Sequence, residues 1–367
     1  MKNILDVSSI VCGSHYGSPD KRIQGFPVAG IRKVLGLINA NYMQGDVVLC
    51  FDGGATLKKE LLPTYKAGRV PDYSIMAQID LLKSLLLECN IPFYQEDGYE
   101  ADDFVCSMVH LLGLTKDDDG IEIITDDHDL ACCVSDNVCI RNVTSNGVYI
   151  DRDNYSSRVV SGDTVPYNTI LLHKVVNGDK SDAYPALHLP GVSFSILVEH
   201  FNNVLNPLFE NGSLPRVSVM DFQLYEAVIN SLPEQFTAET KKKLVERGRI
   251  VYPFIKDVTS GGQDKFFEDM SSSGDPAYVV EYRHLKYVSK RNMDVKKFNF
   301  YCTFFGLNKC RVERQREMYG EMYDSFVNRL QNLAKDLSNG TMAVKYSRLN
   351  RRPKTPVENL DNMQLPL

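Results

Sequence analysis

Apolar and polar positions alternate along the first two hundred residues in a way that predicts two kinds of element in turn. Three short apolar runs of β character, "NILDVSSIV", "DVVLCFD" and "IEIITDD", read as buried strands ending in Asp. Between them, apolar residues recur at helical spacing around residues 28 to 43, 74 to 89 and 101 to 113. Strands alternating with helices predict an α/β fold: a parallel central sheet with helices on both faces. Helical patterns return near 219 to 247 and 312 to 338, and the polar Gly/Ser stretch from Val258 to Pro276 reads as loops.

In such a sheet the ligand crevice lies beyond the carboxyl ends of the strands. Asp6, Asp52, Asp127 and Asp129 stand at or just past those ends, and "GYEADD" opens a helix near the same edge with Glu100, Asp102 and Asp103. Each cluster has an ordinary explanation by itself. Acidic residues favour a helix's first turn, and Asp-rich segments after strands form turns. Their joint occurrence at strand ends in one domain is what points to a site. Crowded carboxylates raise one another's pKa unless a cation joins them, and an all-oxygen set suits Mg²⁺, with Mn²⁺ as a substitute. Two such ions about 4 Å apart would support in-line attack on a phosphodiester.

Composition narrows the classes. The 367 residues, 43% hydrophobic and 24% charged, fit a soluble protein with one large core and a smaller second unit. Leu81 to Leu87, among the longest apolar runs, is broken by Lys83 and Ser84, so no membrane span is expected; the first residues lack a signal peptide's long apolar region, and the predicted compartment is the cytoplasm. The nine cysteines are scattered and read as reduced, buried thiols. Cys132, Cys133 and Cys139 lack the paired spacing of a zinc site. His128, within the acidic cluster, is not needed as a base where a metal can activate water.

"FDGG", "LPTYKAGR", "GYEADD", "TDDHDL" and "GDKSD", in that order and spacing, resemble the 5′ nuclease family: flap endonucleases, phage 5′→3′ exonucleases of RNase H type, and the 5′ nuclease domain of DNA polymerase I. The resemblance covers residues 1 to about 205, with weaker likeness in "ERGRIVYPF" and "FNFYCTFFGL". It implies a PIN-like catalytic domain over residues 1–170 with a helical arch at about 55–75, and a mostly helical domain over 171–340 containing a degenerate helix-hairpin-helix. A flexible basic tail over 341–367 is expected to follow. Matched one at a time, Asp6 and Asp52 correspond to acids that act through metal-bound water, and Glu100, Asp102 and Asp103 to the acids of the first metal. Asp127, Asp129, Asp179 and Asp182 correspond to those of the second, while Asp126 has no counterpart. Lys66 and Arg69 match the basic residues at the foot of the arch, which contact the scissile phosphate and stabilise transition-state charge, and Tyr65 either stacks on an unpaired base or packs.

Setting the nine matched carboxylates aside moves the formal net charge from −6 to +3, so an acidic total is compatible with a DNA partner. Two departures from the family pattern stand out. "GDKSDAYPALHLPGV" keeps only Gly191 where relatives have several glycines, which argues against a duplex grip with bound K⁺. The arginine that usually follows the first Asp is missing, with Lys21 or Arg22 as candidates to replace it.

Beyond the resemblance, Lys345, Arg348, Arg351, Arg352 and Lys354 form a basic run that is either a solvated tail or a DNA-tethering arm. The terminal "QLPL" is similar to peptides that dock on a sliding clamp, offering Gln364, Leu365 and Leu367 to an apolar groove.

The expected function is metal-dependent 5′→3′ exonuclease or flap endonuclease cleavage of DNA, or of RNA in an RNA/DNA hybrid, in replication. A stand-alone phage-type protein is expected, acting in the host cytoplasm if phage-encoded. The alternatives are a PIN-type ribonuclease and a catalytically idle, structure-specific DNA-binding replication factor.

Overall fold

The computed structural model describes residues 2–41, 47–113, 120–135, 137–143, 149–150, 159–160, 163–164, 169–183, 185–189, 191–210, 222–253, 280–282, 285–287 and 293–349. Its centre is a five-stranded sheet built from β1 (Lys2–Asp6), β4 (Val47–Cys50), β5 (Ile121–Ile124), β6 (Val138–Arg141) and β7 (Tyr149–Ile150), in the order β4-β1-β5-β6-β7. The first four strands run parallel and β7 is antiparallel at the edge. Two short strands, β2 (Arg22–Ile23) and β3 (Phe26–Pro27), form a hairpin outside this sheet.

The reading of "NILDVSSIV" as one strand needs correction. β1 stops at Asp6, and α1 (Val7–Gly17) begins at once, because Asp6 Oδ1 accepts the Ser9 amide at 3.1 Å and caps the helix. The β-branched residues of "VSSIV" are helical, and Val7, Ile10 and Val11 are buried. This tight exchange of strand for helix sets Asp6 at the sheet's carboxyl edge. At the neighbouring edge, the Gly53 amide donates to Tyr99 O at 2.9 Å and the Gly98 amide donates back to Gly53 O at 3.3 Å. A Cβ on Gly53 would fall 1.6 Å from Glu96 O, so only glycine lets these two segments close and bring Asp52 beside Glu100.

Alternate strand residues feed two cores. Ile4, Val48 and Ile123 face one side with α5 (Ala101–Gly113), α6 (Ile170–Asn177), α7 (Phe194–Glu210), α8 (Phe222–Asn230) and α9 (Ala238–Val251). Leu5, Val47 and Leu49 face the other with α1, α2 (Ala29–Asn41) and α4 (Tyr73–Glu88). That second side is also covered by α10 (Val295–Phe304), α12 (Glu321–Ser338) and α13 (Thr341–Leu349), while α11 (Val312–Tyr319) packs on α12. The division at residue 170 is therefore not a boundary between two cores: the later helices split between the faces of one sheet.

Three further expectations change. The helical pattern at 219 to 247 is two helices, parted where Pro233 lacks an amide and Thr237 caps α9 by accepting the Thr240 amide at 3.2 Å. The pattern at 312 to 338 breaks at Gly320, whose φ of +50° ends α11. The tail expected from residue 341 starts as α13, with Met342 and Tyr346 buried and Tyr346 Oη donating to Asp80 at 2.7 Å. Arg351, Arg352, Lys354, Gln364, Leu365 and Leu367 lie outside the described residues, as does the segment 258–276. No helix among the described residues is long and apolar enough to cross a membrane.

Candidate active site

Beyond the strand ends lies a cleft of about 1020 Å³, lined among others by Lys66, Arg69, Asp102, Asp129, Lys174 and Asp179. Local backbone chemistry explains why so many carboxylates meet at its floor. Asp52 Oδ1 accepts the Ala101 amide at 2.7 Å and Asp103 Oδ2 accepts the Glu100 amide at 3.0 Å, so two acids satisfy the open donors at the start of α5. Asp6 Oδ2 accepts the Thr125 hydroxyl at 2.9 Å, and that hydroxyl oxygen accepts the Asp127 amide at 2.9 Å, which joins the ends of β1 and β5. Asp127 Oδ1 in turn accepts the Asp129 amide at 2.9 Å, at the head of the 3-10 turn Asp129–Cys133.

The structure sorts the nine expected acids into linked groups. Glu100, Asp102 and Asp103 surround Lys58 Nζ at 2.8, 3.3 and 3.9 Å. Asp129, Asp179 and Asp182 each offer an oxygen within 4.8 Å of the others. Asp6, Asp52 and Asp127 line the strand ends beside them. Tyr65 joins the two trios: its hydroxyl donates to Glu100 Oε2 at 3.0 Å and lies 3.4 Å from Asp182 Oδ2.

Lys66 and Arg69 already hold carboxylates. Lys66 Nζ is 2.5 Å from Glu100 Oε1, and Arg69 reaches Asp182 Oδ1 at 2.6 Å with its side chain 55% exposed. The Lys66 backbone adopts φ +52°, a conformation held by its amide's bond to Asp182 O at 3.0 Å. Of the two readings of Tyr65, packing is the one the structure shows: the residue is 3% exposed and packs with Ile250 against Leu61 and Leu62. Its hydroxyl, not its ring, faces the acids. Gly191 lies between α6 and α7 with φ +74° and open space where a Cβ would go.

The family model for the 5′-3′ exonuclease N-terminal resolvase-like domain matches residues 2–160. A 5′-3′ exonuclease of Aquifex aeolicus is 30% identical over 234 residues, which are 60% of this chain and 78% of that protein. The chain belongs to the 5′-3′ exonuclease family of nucleases. The 5′-3′ exonuclease of Bacillus subtilis is 30% identical over 199 residues, 52% of this chain and 64% of its own length. DNA polymerase I of Geobacillus stearothermophilus is 30% identical over 221 residues, and the match spans 57% of this chain but only 24% of the polymerase. Among solved structures, the T5 5′-exonuclease with bound zinc is 19% identical with a TM-score of 0.46, the match covering 75% of this chain and all of that one.

Two residues of this exonuclease-family site were not anticipated from the sequence. Lys58, in "TLKKEL" on α3 (Thr56–Leu61), is 3% exposed among three acids. Against desolvation, which favours the neutral amine, Asp102, Asp103 and Glu100 hold it well above the usual lysine range. Lys174, 9% exposed on α6, bridges Asp129 and Asp179, the latter at 2.5 Å. Its signal was available in "ILLHKVV", where a lysine sits within an otherwise apolar helix face. Nothing in "TLKKEL" separates Lys58 from Lys59, which is exposed.

The acids outnumber the cations that touch them, and their pKa values register the imbalance. Desolvation, then Asp127, pushes Asp129 up to about 7, and desolvation with Asp102 pushes Asp103 up to about 7. Asp6, Asp52 and Asp127 are also raised, first by desolvation and then by neighbouring acids. In contrast, Lys58 and Lys66 overcome the desolvation of Glu100 and hold it below the usual carboxylate range; bonds from Lys174 and Ser181 do the same for Asp179, to about 2. An all-oxygen donor set short of positive charge fits hard divalent cations.

A pH dependence follows for the metal-free protein. Acids whose folded pKa is raised stabilise the fold while protonated, and that contribution disappears as pH rises from the unfolded value near 4 through about 7. Glu100 and Asp179 act in the opposite sense, but only as pH falls below about 4. With a chelator present, the denaturant midpoint should rise as pH is lowered from about 8 to about 5. Saturating Mg²⁺ should flatten this slope. Equal slopes with and without the ion would show that these acids are not cation-starved.

Proposed function

We propose that the chain is a divalent-metal-dependent nuclease that hydrolyses phosphodiester bonds at 5′ ends or 5′ flaps of DNA, and RNA in RNA/DNA hybrids, during replication. The observation that carries this reading is the convergence of five acids from three separate motifs, Asp102, Asp127, Asp129, Asp179 and Asp182, on one cleft edged by Lys66 and Arg69, with Asp6, Asp52, Glu100 and Asp103 tied to it by hydrogen bonds and ion pairs. A Gln364, Leu365 and Leu367 contact with a sliding clamp belongs to the same proposal.

Glu100, Asp102 and Asp103 would hold one Mg²⁺, and Asp127, Asp129, Asp179 and Asp182 a second, with Asp6 and Asp52 acting through water. When bound, such ions supply Lewis-acid activation and charge stabilisation at the reacting phosphate. The chain's own groups do the rest. The exposed Arg69 guanidinium can exchange Asp182 for a phosphate at little cost and bind it through two parallel hydrogen bonds. Lys66, released from Glu100, places its ammonium on the same phosphate. Tyr65 keeps the turn after α3 in register with both trios through its hydroxyl.

The test uses Mg²⁺ with a labelled 5′-flap duplex, an RNA/DNA hybrid and single-stranded RNA. Wild type should cut the flap, and Arg69→Ala should slow single-turnover cleavage by roughly 10²-fold to 10³-fold, as for loss of one transition-state donor. A gel shift without cleavage would favour the idle binding factor. Cleavage of single-stranded RNA alone would favour the PIN-type ribonuclease.

A further inference from the structure

Behind the acidic cleft, three thiols from two elements meet. Cys106 comes from α5, and Cys132 and Cys133 close the 3-10 turn. Cys106 Sγ lies 3.5 Å from Cys133 Sγ, and Cys133 Sγ lies 3.9 Å from Cys132 Sγ. All three sulfurs fall within 4.8 Å of one another. Cys139, which lies near Cys132 and Cys133 in sequence, is on β6 outside this trio, and Cys106 takes its place.

Ordinary buried thiols sit singly in a core as small apolar groups, as Cys50 does here. Three in mutual contact are a different object. Thiolates bound tetrahedrally to one zinc ion at about 2.3 Å stand about 3.8 Å apart, so this trio needs only sub-ångström adjustment. Cys106 and Cys133 are buried, Cys132 is half-buried, and both Cys106 and Cys132 border the cleft. An ion among them would thus have three fixed ligands and an approach from solvent.

We propose that Cys106, Cys132 and Cys133 form a thiolate site for one soft metal ion of the zinc class, distinct from the carboxylate centre. The two sites would be sorted by chemistry, since thiolates select soft ions and carboxylates select hard ones. Binding exchanges the thiol protons for the metal and releases them to solvent. The position also gives occupancy a consequence: α5 carries Asp102 and Asp103, and the turn carries Asp129, so one ion would tie together elements that supply both trios of acids.

The metal-free full chain can be titrated with Cd²⁺ in excess Mg²⁺, which competes for carboxylates and not for thiolates. The readout is sulfur-to-cadmium charge-transfer absorption, which carboxylates cannot produce. The band should saturate at one Cd²⁺ per chain, persist in Asp179→Asn, and disappear in Cys106→Ser. Because a buried substitution can unfold the chain, Cys132→Ser provides the milder variant, with melting followed by circular dichroism; its Cd²⁺ affinity should fall at least about tenfold. Absence of the band in wild type would overturn the proposal. So would an unchanged affinity in Cys132→Ser, or loss of the band on replacing the half-buried Cys12 and Cys310 by Ser.

Discussion

Asp179→Asn is expected to lower single-turnover cleavage of a 5′-flap duplex by on the order of 10³-fold while lowering stability less than Lys58→Met does, so that the variant stays folded in the assay. The size follows from losing part of the several kcal/mol that a bound divalent ion contributes to charge stabilisation, at about 1.4 kcal/mol per tenfold in rate. The cost to folding is limited by its place: Asp179 sits at the cleft, where it loses its charge contact with Lys174 but can keep its bonds from the amide and hydroxyl of Ser181. Asparagine keeps an acceptor oxygen for Ser181, and Lys174 keeps Asp129. Flap binding measured in Ca²⁺ should be nearly unchanged. Full activity in this variant would remove Asp179 from the site and with it the proposed second metal.

Lys58→Met should have the largest effect on stability. In chelator the variant is expected to lose about 3–5 kcal/mol in denaturant unfolding, because Glu100, Asp102 and Asp103 are left without their shared buried cation. Mg²⁺ should return more stability to Lys58→Met than it adds to wild type, since the ion then meets a need that the ammonium otherwise fills. Wild type itself should gain about 2.7 kcal/mol at an ion concentration of 100 times Kd. Equal Mg²⁺ increments in the two proteins would show that Lys58 and the metal do not compete for the same carboxylates.

The parallel sheet and the acids at its edge were legible because both rest on local pattern. "DVVLCFD" and "IEIITDD" contain β4 and β5, and Asp52 and Asp127 follow them where a strand end must put them. "EADD" opens α5 as its acidic start predicts. What escaped were facts fixed by distant partners. Lys58 meets Asp102 across 44 positions in sequence, and no periodicity marks it. Tyr65 stays undecided between stacking and packing in sequence because an aromatic beside two cations reads the same whether its ring is covered or bare, and Ile250 covers it. The later helices were visible as amphipathic segments, but amphipathicity does not state which face of a sheet a helix will cover. The segment after Asp6 differs for a subtler reason: the β-branched residues of "VSSIV" suit a strand, but the cap bond to Asp6 from the Ser9 amide and the burial of Val7, Ile10 and Val11 favour a helix.

The packing of α10, α12 and α13 on the second sheet face has a consequence for how the protein is made. The surface of α2 and α4 that these helices cover belongs to the first ninety residues, yet Arg329 reaches Glu88 across 241 positions and Tyr346 reaches Asp80 across 266. During synthesis that apolar surface must wait, uncovered, until the ribosome has released almost everything up to residue 349. Closing such long loops is entropically slow, and a waiting apolar face invites association with other chains. The nascent nuclease thus has the profile of a chaperone client, and a fragment ending before α10 would carry the acids while lacking the cover for this face.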